Sequence, residues 1–167
     1  DIVFGDWSSD VCSSDLILKN IHTLHIRMKQ HSYNAAFLAE KFTAAGIRTI
    51  YPGLPGHPGH NLLKSMMNPQ FGFGGMIAID METAEKAAAL MEDMELNDVG
   101  YLAVSLGYFK TLFSNSGKST SSEVPEEIQR KMGLSEGLVR YSVGLDNDIE
   151  RTWERIEASL KKVGILK

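Results

Sequence analysis

From Ile17 to Ala45 apolar and polar residues alternate with a helical period. Ile21, Leu24, His25 and Met28, then Ala35, Leu38, Ala39 and Phe42, recur at spacings of three and four, which is one face of an α-helix. Gly46 supplies a C-terminal stop. The period then changes. Residues 47–51, "IRTIY", alternate and are β-branched, so a short strand is expected. "PGLPGHPGH" (52–60) is a Pro/Gly loop, "NLLKSMM" has room for two helical turns, and "FGFGG" (71–75) is a second glycine loop. Beyond it come a strand (76–81), a helix of strong formers (82–94) and a strand over "VGYLAVS" (99–105). A short helix over 125–133 starts on Pro125, has acids early and a base late, and so suits the helix dipole. "GLVRYSVG" (137–144) reads as a strand. Residues 146–164 read as a closing amphipathic helix, with Asp146 and Asp148 at its start and Lys161 and Lys162 at its end. Helices and strands interleave, so the class is α/β (α+β), with a sheet of about four strands and helices packed on it.

The first sixteen residues stand apart. "DWSSDVCSSDL" (6–16) has no period of either kind, and a widely used sequencing-primer DNA encodes the same residues in one frame. Residues 1–16 are therefore expected to be an unstructured adapter artefact and carry no weight in the fold. The folded part is expected to comprise a long helix over 17–46 and a domain over 47–167.

Composition narrows the function. The chain has 167 residues, a net charge of −4 and a single cysteine, Cys12. That excludes an internal disulfide framework and cysteine-cluster metal sites. There is no basic stripe for nucleic acid. No apolar run approaches the about 18 residues of a membrane helix. A cytoplasmic protein is the default expectation.

Chemistry is harder to find. "SLGYFKTLFSNSGKST" (105–120) ends in Gly117-Lys118-Ser119, the tail of a phosphate-binding loop. That motif needs glycine at position 112, where this chain has Leu112, so a polar surface loop is expected instead. His57 and His60 are three apart, but Pro58 and Gly59 keep a helix from aligning them, and no third ligand follows. They are read, with His22, His25 and His31, as structural or surface residues. Arg140 sits within an apolar strand, where alternation groups it with Leu138 and Ser142, opposite Val139, Tyr141 and Val143. Its planar fork suits a carboxylate, but from these residues alone a solvated sheet face or a structural ion pair outweighs that use. Ser105, at an apolar strand end before Gly107, is either a pocket-lining residue or a plain strand terminus.

Several stretches, in order from about Ile17 to Leu166, resemble the C-terminal part of the pyridoxal-phosphate enzymes of cysteine and methionine metabolism. These are the methionine γ-lyases, cystathionine γ-lyases, cystathionine γ-synthases and acylhomoserine sulfhydrylases. "IYPGLPGHPGH" is similar to that family's Tyr-Pro-Gly-Leu loop. "FGFGGMIAID" resembles its strand entry, "AVSLGYFKTL" its Val-Ser-Leu-Gly segment and "GLVRYSVGLDNDIERTWERIEASL" its closing stretch. The resemblance implies the small C-terminal domain of a fold-type I enzyme. It implies substrate α-carboxylate binding by Arg140, with Ser105 lining the same site. It also implies pyridoxal phosphate bound mainly by an upstream part, a small amino-acid substrate, and a homotetramer of dimers with shared active sites. The implied reaction is γ-elimination of methionine to methanethiol, ammonia and 2-oxobutanoate, with the sister activities as alternatives. The family's Schiff-base lysine, pyridine-nitrogen aspartate and phosphate ligands lie upstream of the matched part, so no catalytic or cofactor-binding residue is assigned here. Neither Lys110 nor Lys118 takes the lysine's place. The chain by itself is expected to be inactive. Ser119-Thr120-Ser121 departs from the commoner Met-Thr-His form and is more like some methionine γ-lyases. A non-catalytic α/β module that binds a small molecule is the alternative from another class.

Overall fold

The structure is a computed structural model that describes residues 7–116, 126–131, 133 and 135–167. In chain order its elements are α1 (Trp7–Ile21), α2 (Leu24–Ala44), β1 (Arg48–Ile50), α3 (His60–Met66), β2 (Met76–Asp80), α4 (Ala84–Leu96), β3 (Gly100–Leu102), β4 (Thr111–Asn115), α5 (Glu126–Lys131), β5 (Leu138–Ser142) and α6 (Ile149–Lys162). The five strands form one sheet in the order β1-β2-β5-β4-β3. All neighbours are antiparallel except β3 and β4.

The core lies between one sheet face and α2, α4 and α6. Strand alternation sends Ile77, Ile79, Phe113, Val139 and Tyr141 to that face. Ala35, Leu38, Ala39 and Phe42 come from α2, and Ala87, Leu90, Met91 and Met94 from α4. On α6, Ile149, Trp153, Ile156 and Leu160 recur on one stripe. Phe42 meets Tyr141 and Trp153 edge-on at centroid distances of 5.6 and 5.3 Å. Full burial of a side chain this size contributes about 1.5–3 kcal/mol. Caps fix two helix starts. Thr83 Oγ1 accepts from Lys86 N at 3.3 Å, and Asp148 Oδ1 from Arg151 N at 3.2 Å.

Polar groups on α2 pin the end of β5. The His31 ring Nδ1 lies 2.6 Å from the Val143 carbonyl, and Asn34 Nδ2 donates to the Gly144 and Asp146 carbonyls at 2.9 and 2.8 Å. Gly144 is needed here. A Cβ would come within 2.5 Å of Thr111 N, so only glycine lets this segment pass so close to β4.

Four expectations are corrected. The sheet has five strands where about four were expected, and β4 lies where a polar loop was expected, because its small and polar residues sit inside a sheet and not on a surface. β3 stops at Leu102, so Ser105 lies in a loop and does not end a strand. The helix expected over 17–46 is two helices broken at His22-Thr23. There the Asn20 carbonyl is taken by the Arg27 guanidinium at 2.7 Å, among Asn, His and Thr residues of modest helix propensity. Finally, residues 7–16, expected to be unstructured, lie within α1; residues 1–6 fall outside the described set. No Pro or Gly falls between Asp6 and Ile21, so nothing in that stretch stops a helix. Leu16, Ile17, Leu18 and Ile21 at its C-terminal end are all exposed.

Candidate functional site

β5 is the central strand, and Arg140 is its middle residue. Alternation turns Arg140 away from the helices. Its register partners are Ala78 on β2 and Ser114 on β4. Both neighbours are small, which leaves space above the sheet for a guanidinium. Leu138 and Ser142 flank it on the same face, as alternation predicts.

The loop 103–110 crosses this face. β3 and β4 are parallel neighbours, so the chain must return the length of the strands between them. A helix usually makes that return; here an irregular segment does. It is tied down by main-chain groups: Ala103 N–H to the Phe113 carbonyl at 3.1 Å, and Leu145 N–H to the Phe109 carbonyl at 2.7 Å. Gly107, in the left-handed region at φ +69°, donates its N–H to Ser142 Oγ at 2.9 Å. The loop thereby sets the Ser105 carbonyl 3.3 Å from Arg140 Nη2. The two residues singled out from the sequence are thus in contact, through the main chain of Ser105 and not its hydroxyl. Val104, Leu106 and Phe109 on this loop stay more than half exposed, at 63, 58 and 56%.

Two buried polar atoms at this site have no hydrogen-bond partner: Arg140 Nε and Ser114 Oγ. Among the described residues no carboxylate pairs with Arg140. Arg48, by contrast, reaches Asp80 at 2.9 Å. A fork of N–H donors above small residues and without an acid partner is suited to an external carboxylate. Sequence reasoning missed Ser114, because its signal is a register on β4 and β4 was not expected.

The other candidates lie elsewhere. The His57 ring accepts from Gly59 N–H at 3.0 Å, and the His60 ring contacts the Pro52 carbonyl at 2.8 Å and stacks on Phe73. No cluster of three or more metal-ligating side chains occurs among the described residues. Gly117-Lys118-Ser119 lies outside them. Lys110 pairs with Asp98 at 2.8 Å. The Asp98 hydrogen bond pushes the Lys110 ammonium up from its ordinary value, and the same contact holds Asp98 below its own. That favours the charged lysine, the reverse of what an amine needs to attack a carbonyl. A cavity of about 490 Å³ near Asp98, Asp146, Arg151 and Arg155 includes neither Arg140 nor Ser105. No helix among the described residues is long and apolar enough to cross a membrane.

Comparison with known proteins shows what this chain is similar to. The family model described as Cys/Met metabolism PLP-dependent enzyme matches residues 6–161. A methionine γ-lyase of Arabidopsis thaliana is 44% identical over 146 residues, covering 87% of this chain and 33% of the relative. A cystathionine β-lyase of Lactococcus lactis is 34% identical over 149 residues, covering 88% of this chain and 37% of the relative. Among solved structures, a cystathionine γ-synthase of Xanthomonas oryzae, in complex with cystathionine, superposes with a TM-score of 0.78 at 28% identity, over 89% of this chain and 37% of that one. A Campylobacter jejuni protein assigned as an O-acetylhomoserine (thiol)-lyase, which carries a pyridoxyl-lysine phosphate, gives 0.79 at 26% identity, over 87% and 34%. The chain thus spans about a third of the length of the relatives it matches.

Proposed function

Because this chain belongs to the Cys/Met metabolism PLP-dependent enzymes, we propose that it is the substrate-gripping C-terminal part of a carbon–sulfur lyase that acts on methionine. Pyridoxal phosphate is the cofactor of the family, and supplies an electron sink. We assign no residue of this chain to the cofactor. Lys110 is committed to Asp98, and Lys118 lies outside the described residues.

What this chain contributes is position. The Arg140 guanidinium takes the amino acid's α-carboxylate in two parallel N–H···O bonds. That fixes the carboxylate on a rigid central strand and leaves the α-carbon in one orientation. Orientation of this kind carries much of the rate when the same bond must be broken every time. The exposed 103–109 loop forms a wall beside it. Methionine and water would yield methanethiol, ammonia and 2-oxobutanoate. The whole enzyme would be a homotetramer, with the exposed apolar groups of α1 and of the 103–109 loop covered in the assembly.

The single observation that supports this role is an arginine on the central strand whose guanidinium meets a carbonyl but, among the described residues, no acid. The test uses the full-length enzyme with pyridoxal phosphate. 2-Oxobutanoate release from L-methionine is measured for the wild type and for Arg140→Ala. The expected result is a rise in KM of about a hundredfold, the size of a lost charge-assisted pair. An unchanged KM would sink the role of Arg140. The 34% identity to a cystathionine β-lyase and 33% to a cystathionine γ-lyase of Bacillus subtilis favour a second reading, action on cystathionine. Turnover of cystathionine with none of methionine would move the protein there.

A further inference from the structure

We propose that Ser114 is a positioning residue for Arg140: its hydroxyl oxygen accepts from Nε–H and sets the roll of the guanidinium plane. The inference rests on the carboxylate-binding reading of Arg140 above.

Ser114 and Arg140 are register partners on adjacent antiparallel strands. Side chains directly opposite each other have Cβ atoms about 4.5–5.5 Å apart. Ser114 is 5% exposed, and its Oγ is buried without a partner; Arg140 Nε is buried without a partner as well. One group accepts and the other donates. Buried polar atoms are paired in the great majority of cases. The two atoms do not bond each other in this structure, but they are complementary and sit on opposed residues, so a rotation of the Ser114 side chain about χ1 would make them partners.

The burial of Nε has a second consequence. A ligand arriving from the open side cannot reach it. An arginine can grip a carboxylate side-on, through Nε and one Nη, or end-on, through both Nη atoms. Burial removes the first option, so the carboxylate must be taken end-on. In the end-on mode nothing on the ligand fixes the rotation of the plane about its long axis. The Ser105 carbonyl fixes one corner, through Nη2 at 3.3 Å. A bond from Nε to Ser114 fixes a second point along the same edge. Those two points, together with the tether at Cδ, define the orientation of the plane, and the carboxylate then finds the fork already aimed.

The experiment compares binding of two ligands to the full-length, cofactor-loaded enzyme by calorimetric titration. L-Norleucine has the carboxylate and no γ-leaving group. Pentylamine is the same molecule without the carboxylate. Ser114→Ala should weaken norleucine by roughly tenfold and leave pentylamine within twofold. Ser114→Thr and Ser114→Val form a shape-matched pair that differs by a hydroxyl against a methyl, and the threonine variant should bind norleucine roughly tenfold better than the valine variant. Equal norleucine affinity in that pair overturns the proposal, as does equal weakening of both ligands in Ser114→Ala, which is the mark of a merely structural role. Arg140→Ala separates the two levels. If it leaves norleucine affinity unchanged, the carboxylate reading itself fails. If it abolishes that preference while every Ser114 variant keeps it, only the role of Ser114 fails.

Discussion

On one face of the sheet, Ile77, Ile79, Phe113, Val139 and Tyr141 are at most 2% exposed and lie under three helices. On the other, Ala78, Ser114 and Arg140 lie side by side across three strands, beneath a loop. The first face satisfies itself. Even the Tyr141 hydroxyl, whose ionisation burial pushes far up, finds Met94 Sδ at 2.8 Å. The second face leaves a donor and an acceptor unsatisfied in its interior. Among the described residues, these are the two buried side-chain polar atoms left without a partner, which points to a task for this face other than stability. One strand, β5, serves both faces, so a rigid core and an aimed cation are parts of the same element.

Substitutions can break this contrast or sharpen it. The largest effect is expected in the core. Phe42→Ala removes the ring between Tyr141 and Trp153 and should lower stability by about 3–5 kcal/mol. Urea unfolding followed by tryptophan fluorescence measures it, and a loss under 1 kcal/mol would show that the helical face is not a close-packed core. Arg140→Lys keeps the charge and removes the fork. A rise in KM of about thirtyfold with an unchanged urea midpoint is expected, and a shifted midpoint would show that the second face also carries stability. Asp93 sits between α4 and α6, where Lys162 hydrogen-bonds it. That bond holds the Asp93 carboxyl below the usual carboxylate range. A lowered folded-state pKa makes its stabilisation complete above about pH 4 and lost as pH falls through the lowered value. Asp93→Asn should cost about 1 kcal/mol at neutral pH and flatten the acid side of the stability–pH curve, while KM stays put. Thr83→Ala, which removes the α4 cap, should cost at most about 1 kcal/mol, read from the thermal midpoint.

The same contrast governs what could be read before the fold was seen. The helical face was legible. Stripes such as Ile149, Trp153, Ile156 and Leu160 repeat in sequence as they pack in space. Arg140 stood out because a charge interrupts an apolar strand. β4 was not legible, since Thr111-Leu112-Phe113-Ser114-Asn115 looks like the start of the Ser/Gly stretch that follows. Its neighbours, β3 and β5, give it its strand character, and they lie elsewhere in the chain. Ser114 was lost with it. Ser105 was placed near the site for its side chain, whereas a main-chain atom makes the contact, and no residue type announces that. The α1–α2 break was hidden because neither Pro nor Gly marks it.

Every amino acid brings a carbonyl to position 105, so the group that steadies Arg140 Nη2 cannot be mutated away. A substitution there changes the side chain, and with it the surface beside Arg140, while the anchor stays where it is. A saturation library at 105 should therefore spread in preference among side chains of different length and remain uniform in its demand for an α-carboxylate.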